Sequence, residues 1–221
     1  GRVRVDNTHT KYEQKLYASS NLTITEESTQ GHYTISKPDE TQTYADVLAN
    51  INKRFNDFSL VANVGASIVN NRYEDLSYRG PIREKGIPNV FNVFDLDNTK
   101  KKARQDEWQE QTQSIFASVE VGWKSMLYLT LTGRNDWASQ LANSSTPCFF
   151  YPSVGLSGVI SEMLTLPEFI DYMKVRGSFS SVGMPYPRNL TSPTYEYDEA
   201  NQQWKPKTHY PIKDLKPERT N

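Results

Sequence analysis

Cysteine is almost missing from this chain: Cys148 is the only one. A disulfide framework within the chain is thereby excluded, and so is a multi-cysteine zinc site. Long hydrophobic runs are missing too, since none approaches 18 residues, so no transmembrane helix is encoded. A membrane barrel stays open, because its strands alternate and look polar on average. Charge of one sign is also lacking: 25 basic against 26 acidic residues leave a net −1. No nucleic-acid partner is expected from that balance. Hydrophobic residues are sparse at 36%, and the mean hydropathy is −0.70. Aromatics are plentiful at 12%, with Tyr 13 and Trp 4. Disordered chains are poor in aromatics, whereas half-buried strands favour them. The 221 residues suffice for one or two domains with a sizeable core. An initiator Met, a signal peptide and a targeting tail are not recognised. The expectation is that Gly1 is a protease scar and that the chain is a fragment of a longer protein.

The positive signal is period-2 alternation, which sends successive side chains to opposite faces of a sheet. Ile115, Ala117, Val119, Val121 and Trp123 share one face, while Ser114, Ser118, Glu120 and Gly122 share the other, with Phe116 as the exception. Leu127, Leu129 and Leu131 then alternate with Tyr128, Thr130 and Thr132. Similar runs start at Ala45, Phe58, Phe150 and Met173. The pattern predicts an all-β chain of antiparallel up-and-down strands. About seven are expected, roughly over 12–24, 43–55, 58–70, 108–123, 125–138, 149–161 and 172–182.

The joins alternate as well. Tight turns are expected at Asn56-Asp57 and Lys124-Ser125, and a compact, helix-compatible link over Glu162 to Asp171. Longer connections are expected over 25–40 and 140–147, with long loops over 72–105 and 183–221. Short joins on one rim and long loops on the other are the plan of an outer-membrane barrel. Runs near ten residues also suit a tilted membrane crossing. Alternation alone fits a second arrangement, a stand-alone soluble β-sandwich or barrel that binds carbohydrate. There the Leu127, Leu129 and Leu131 face would be a buried core. Aromatics near strand ends favour the membrane arrangement, because interfacial girdles want rings with a polar edge. These are Tyr44, Phe55, Phe58, Trp108, Trp123, Tyr128, Trp137, Phe149 and Tyr172.

Motifs for covalent chemistry are weak, and the chain is not read as an enzyme. No catalytic residue, metal ligand or cofactor is assigned. His9, His32 and His209 share no metal spacing with one another or with Cys148. Asp95-Leu96-Asp97-Asn98 starts like a calcium loop, but Lys100 stands where glycine is needed. Gly155-Leu156-Ser157-Gly158 falls short of a nucleophile elbow and lies in a strand pattern. Asp136 with Glu162 or Glu168 is no more than any acid-rich chain offers as a glycosidase pair. Lys100-Lys101-Lys102 with Arg104 reads as a solvated loop cluster. Tyr195, Tyr197 and Trp204, close to Asn201, Gln202 and Gln203, are candidate ligand-binding residues. Rings stack on sugar faces and amides read hydroxyls. A packed loop core is the competing reading for them.

An ordered series of motifs covers residues 114 to 182. Thr132-Gly133-Arg134-Asn135-Asp136-Trp137 is followed by Phe150-Tyr151-Pro152-Ser153-Val154-Gly155-Leu156. Met173-Lys174-Val175-Arg176-Gly177-Ser178-Phe179 comes next, then Val182-Gly183. This series resembles the β-barrel of SusC/RagA-type TonB-dependent outer-membrane receptors of the Bacteroidetes. Its motif positions are Arg134, Asp136, Tyr151, Pro152, Ser153, Lys174 and Arg176. Leu215-Lys216-Pro217-Glu218-Arg219-Thr220 is similar to the family's Pro-Glu segment before another strand. Pro81 to Phe91 is similar to part of an extracellular loop. Trp137-Ala138-Ser139 departs from the Gly-Ser-Ser of many relatives, which bears on the local turn.

The resemblance implies a plugged barrel in the bacterial outer membrane that imports large nutrients, glycan or peptide. It implies TonB and a SusD-like surface lipoprotein as partners, and outer-membrane lipid around the wall. The family's plug is not recognised in these residues, so barrel wall and extracellular loops are what they are expected to supply. Open sheet edges in such a fragment would favour self-association.

Overall fold

The computed structural model describes residues 1–167, 169–184, 187–198, 201–207, 211, 212, 214 and 218–220. Glu168, His209 and Leu215-Lys216-Pro217 lie outside the described residues. Strand accounts for 63% and helix for 5%, which bears out the all-β expectation. The strands are β1 (Arg2–His9), β2 (Tyr12–Tyr17), β3 (Gly31–Phe55), β4 (Phe58–Pro81), β5 (Lys102–Trp123), β6 (Leu127–Ala138) and β7 (Cys148–Val159). A single helical turn, α1 (Ile160–Met163), leads toward β8 (Lys174–Ser180). Short strands follow: β9 (Val182–Met184), β10 (Tyr195–Asp198), β11 (Gln203–Pro206) and β12 (Glu218–Thr220). Eight strands form one antiparallel, unclosed sheet in the order β1-β3-β4-β5-β6-β7-β8, with β2 also on β3. β10 pairs β11, and β9 pairs β12.

Several boundaries differ from the sequence reading. The strand expected over 12–24 stops at Tyr17, and turns follow it. The loop expected over 25–40 ends at Gly31, where β3 begins a run of 25 residues. The loop expected over 72–105 shrinks to 82–101, because β4 runs to Pro81 and β5 starts at Lys102. The tail expected over 183–221 carries the β10–β11 hairpin and β12. Residues 31–42 and 70–81 are largely polar on both parities, with only scattered apolar residues such as Ile35 and Leu76, so no sustained apolar period marks them as strand. Pro38, which has no N–H, sits in the gap between β1 and β2, where its carbonyl accepts from Thr10 N at 3.0 Å.

The chain divides into two compact units. One comprises residues 1–3, 44–69 and 110–221. Its tight turns lie side by side: Lys124 N donates to Asp57 O at 2.7 Å. Asn56, Lys124 and Ser125 take left-handed backbone angles, which such turns require. Ala138, Leu141 and Phe149 form a small buried cluster, with Tyr151 and Leu190 packed on it.

The other unit comprises residues 4–43 and 70–109. Its core joins two loops. Ile82 and Leu96 are fully buried and bridge each other. Ser28 Oγ donates to Ile82 O at 2.7 Å, and Asn89 N donates to Gln30 O at 3.0 Å. Phe91 packs edge-on against Tyr17, with ring centroids 5.2 Å apart. Gly31 sits at the corner with φ +113°, and an added Cβ there would lie 2.6 Å from Leu16 O.

Candidate functional site

The two faces of the sheet differ in a way that carries function. Register places Val121 opposite Leu129, and Leu129 opposite Leu156. These apolar residues should be a core if the sheet were one layer of a soluble sandwich. Instead Leu129 is 38% exposed and Leu131 is 48% exposed. Ile115, Val154 and Leu156 are exposed with them. The opposite, polar face holds the buried side chains Ser114 and Asp136, at 2% and 7% exposure. An exposed apolar face, with buried side chains on the polar one, is the inverse of a water-soluble layer.

The outward apolar stripe is also bounded. On β5 it runs from Ile115 to Trp123, roughly 26 Å along the strand at about 3.3 Å per residue. On the same parity Gln113, Gln111 and Gln109 precede it. On β4, Ile68 gives way to Asn70 and Arg72, and on β3, Ala45 is preceded by Thr43 and Thr41. With strands tilted as in membrane barrels, the stripe is close to the height of a lipid-facing band. Exposed Phe55, Phe58 and Trp123 lie at its tight-turn end, and exposed Trp137 toward the other.

Four of the rings expected in the girdle belong elsewhere. Tyr44 donates its hydroxyl to Asp46 Oδ2 at 2.7 Å. Tyr128 lies over Gly122, and Lys174 Nζ stands 5.4 Å from its ring. Phe149 is in the small core. Trp108 stacks on Tyr73, centroids 5.4 Å apart and planes at 13°. Strand position alone does not separate rings of the two faces, whereas parity does.

Register brings the motif residues together, on the polar face except for Pro152, which shares the apolar parity of Val154 and Leu156. Arg134 faces Tyr151, Gly133 faces Pro152 and Thr132 faces Ser153. Arg134 Nε donates to Asp136 Oδ1 at 2.7 Å, and its Nη2 donates to Ser114 Oγ at 2.9 Å. Nearer the tight turns, Glu120, Thr130, Ser153, Ser157, Lys174 and Arg176 line an open polar cleft of about 430 Å³. Thr130 Oγ1 donates to Glu120 Oε2 there at 3.2 Å. Asn63 Nδ2 donates to Ser118 Oγ at 3.1 Å, so amides and hydroxyls continue across strands. A larger groove of about 730 Å³ lies among Val3, Val47, Ile68, Ile115 and Trp137. Its side chains are those of the apolar stripe, so its chemistry suits lipid.

Tyr195, Tyr197 and Trp204 meet on the β10–β11 hairpin. Tyr197 is directly opposite Trp204, with ring centroids 5.4 Å apart in edge-to-face geometry. Trp204 is 69% exposed, so the packed-core alternative does not describe it. Lys205 pairs with Glu196 and Asp198 on the same hairpin. The remaining sequence candidates have local roles. His9 bonds Asp39 at 2.7 Å, and His32 Nε2 lies 3.5 Å from Glu26 Oε1. Asp97 Oδ1 accepts from Thr99 N and Oγ1, closing a turn. Ser157 lies within β7 rather than on a strand-to-helix turn.

The family model for the TonB dependent receptor-like β-barrel matches residues 2–221. The chain belongs to this family. Its fold is also found in solved structures. The structure of the RagAB peptide transporter matches with a TM-score of 0.76 at 15% identity, covering 98% of this chain and 24% of that one. The RagAB peptide importer in its closed-closed and open-open states matches at TM-scores of 0.71 and 0.67, with the same identity and coverage. The chain therefore spans about a quarter of the length of these proteins. A comparison with curated proteins finds no match. Family and fold agree with the SusC/RagA-type resemblance of the motifs.

Proposed function

We propose that these residues are wall and loops of a bacterial outer-membrane receptor that imports large nutrients, glycan or peptide, with energy from TonB. The observation that carries this reading is the outward apolar stripe on the sheet, bounded by polar residues on the same parity. Lipid covers that stripe, and the polar face lines a lumen. The segments that cross are residues 44–55, 58–69, 112–123, 127–138, 148–159 and 174–180. The tight turns face the periplasm, and the loops and the β10–β11 hairpin face outside. Tyr195, Tyr197 and Trp204 contact nutrient at the outer rim, beside a SusD-like surface lipoprotein. Arg134, Asp136, Tyr151 and Ser153 brace the polar face, and Pro152 sits between them on the apolar parity. Ser153 also lines the cleft with Lys174 and Arg176, a surface for passing ligand or for a plug. The work is binding and passage rather than bond chemistry. Membership of a receptor family and likeness to a peptide importer support this reading.

The test is made on the receptor that contains this chain, expressed in its own outer membrane. The reading expects it in the outer-membrane fraction, with a mobility in SDS that shifts only on heating. Uptake of a labelled nutrient pool should depend on TonB, and Trp204→Ala should weaken nutrient binding. A water-soluble monomer that needs no detergent would overturn it.

A further inference from the structure

The link from β7 to β8 carries large apolar side chains that no core takes up. Phe169 is 84% exposed, and Leu164 and Tyr172, the latter a ring expected in the girdle, are exposed with it. The link leaves the sheet at the tight-turn rim, where Val159 N donates to Met126 O at 2.7 Å, next to the Lys124-Ser125 turn. It also leaves on a definite face. Register sets Trp123, Leu127, Gly158 and Val175 in one row across β5, β6, β7 and β8. That row closes the apolar stripe at the tight-turn end. Gly158 leaves a gap in the row, and α1 lies over it. A Cβ at Gly158 would stand 3.3 Å from Met163 Cε, 3.9 Å from Leu127 Cδ1 and 4.0 Å from Ile160 Cδ1. The helical turn therefore rests on the apolar side of the wall. Its backbone is held there, since Ile160 N donates to Met173 O at 2.7 Å and Leu164 N to Ile160 O at 2.9 Å.

Charge narrows what can cover these side chains. No Lys or Arg lies between Val159 and Lys174 in the sequence, while Glu162 and Asp171 are exposed there. Lys174 belongs to the polar face, with its Nζ 5.4 Å from the Tyr128 ring. Anionic headgroups are drawn to basic segments, and here they would meet carboxylates instead. Acyl chains beneath zwitterionic headgroups take up apolar side chains and leave both carboxylates in water. Tyr172 adds a ring with a polar edge, suited to the headgroup level. We infer that Met163, Leu164 and Phe169 insert into a periplasmic leaflet of zwitterionic phospholipid, so that the β7–β8 link anchors the barrel rim in the membrane plane. The inference rests on the receptor reading and extends its lipid contact from the strands to a connecting segment.

The experiment uses the intact receptor, cleared of native cysteines by substitutions that include Cys148→Ser and reconstituted in phosphatidylcholine vesicles. Single spin labels are attached through Leu164→Cys, Phe169→Cys, Leu129→Cys and Asp57→Cys. Depth is read from collisions of each label with dissolved oxygen against those with a water-soluble nickel chelate. Labels at Leu164 and Phe169 should sit about 5–10 Å below the headgroup boundary, as interfacial apolar side chains do. The label at Leu129 should lie deeper, and the one at Asp57, on a tight turn, should stay in water. Replacing half of the lipid by phosphatidylglycerol should deepen neither link label. The heat-dependent shift in SDS shows which variants fold, and Met163→Cys takes the place of a link variant that does not. A link label in water, shielding of a link label from both reagents by a protein cover, or deepening in phosphatidylglycerol would overturn the anchor. A receptor with Leu129 in lipid and the link in water fails this inference alone, and one with Leu129 in water fails the receptor reading.

Discussion

Arg134 reaches two residues along its own strand to Asp136, Nε to Oδ1 at 2.7 Å, and the acceptor is 7% exposed while the donor reaches water. The same guanidinium donates to Ser114 on β5, so one side chain ties two strands. A nearly buried carboxylate without its cation is costly, and so is a cation left beside an apolar gap. Asp136→Ala is expected to destabilise the folded receptor by about 1–3 kcal/mol, below the full cost of breaking a buried pair because Arg134 is half-exposed. Ser114→Ala should cost only about 1 kcal/mol, the worth of one hydrogen bond. Unfolding midpoints in denaturant check the order. Equal effects would mean that the charge pair adds nothing beyond a hydrogen bond.

Gly65 makes room for Phe116. A Cβ at Gly65 would lie 2.6 Å from Phe116 Cζ and 2.8 Å from Val47 O. Phe116 was the exception on the polar parity between Ser114 and Gly122, and the bare glycine explains its place: the ring lies across the neighbouring strand. Gly65→Ala is expected to cost about 1–3 kcal/mol, as overpacking does. Phe116→Ala in the same chain should restore only part of it, because the contact with the Val47 carbonyl persists. A double-mutant cycle measures that remainder.

The crossing portions of the fold were legible because one of their faces is apolar. Ile115 to Trp123 and Leu127 to Leu131 showed strand, the face each side chain takes and the tight turn between them. The extensions were not legible for the converse reason. Residues 31–42 and 70–81 carry mostly polar side chains on both parities, with Tyr33 and Tyr73 packed on single rings, and no sustained period-2 apolar signal survives there. Tyr73 and Trp108 were missed as a pair because 35 residues separate them and only strand pairing unites them. The parity of Trp108 with Ser114 was the available sign that it faced away from lipid.

Acid should loosen the loop over 18–30 through His32. Burial lowers the pKa of this imidazole; Glu26 opposes that and Arg79 adds to it, leaving it below its ordinary value. For Glu26, burial raises the carboxyl, but Arg79, bonded at 3.0 Å, and His32 outweigh it and hold it low. Both groups lie outside the crossing segments. A histidine with a depressed folded pKa favours its neutral form in the fold. Its contribution is fully present above the ordinary value near 6.5 and is lost as pH falls from there toward the folded value. Glu26 stays ionised through that window. Backbone hydrogen exchange of residues 18–30, corrected for intrinsic rates, should therefore be faster at about pH 5.5 than at about pH 7.5. His32→Gln should abolish the difference. A pH effect that survives this substitution belongs to another group.

Leu129 and Thr130 are adjacent on β6 and point to opposite faces, so one substitution tests both. In a soluble protein, an exposed leucine replaced by lysine costs almost nothing. In a lipid-facing wall, lysine near the midplane costs about 2–4 kcal/mol. Leu129 pairs with Val121 and Leu156 within the stripe, one side-chain position in from its end at Trp123. Leu129→Lys should therefore cut folding yield and stability in lipid vesicles, while Thr130→Lys should be tolerated, since Glu120 is within reach of the new ammonium. Folding is read as the fraction of receptor whose mobility shifts on heating. If Leu129→Lys folds as well as Thr130→Lys, the exposed leucines do not face lipid.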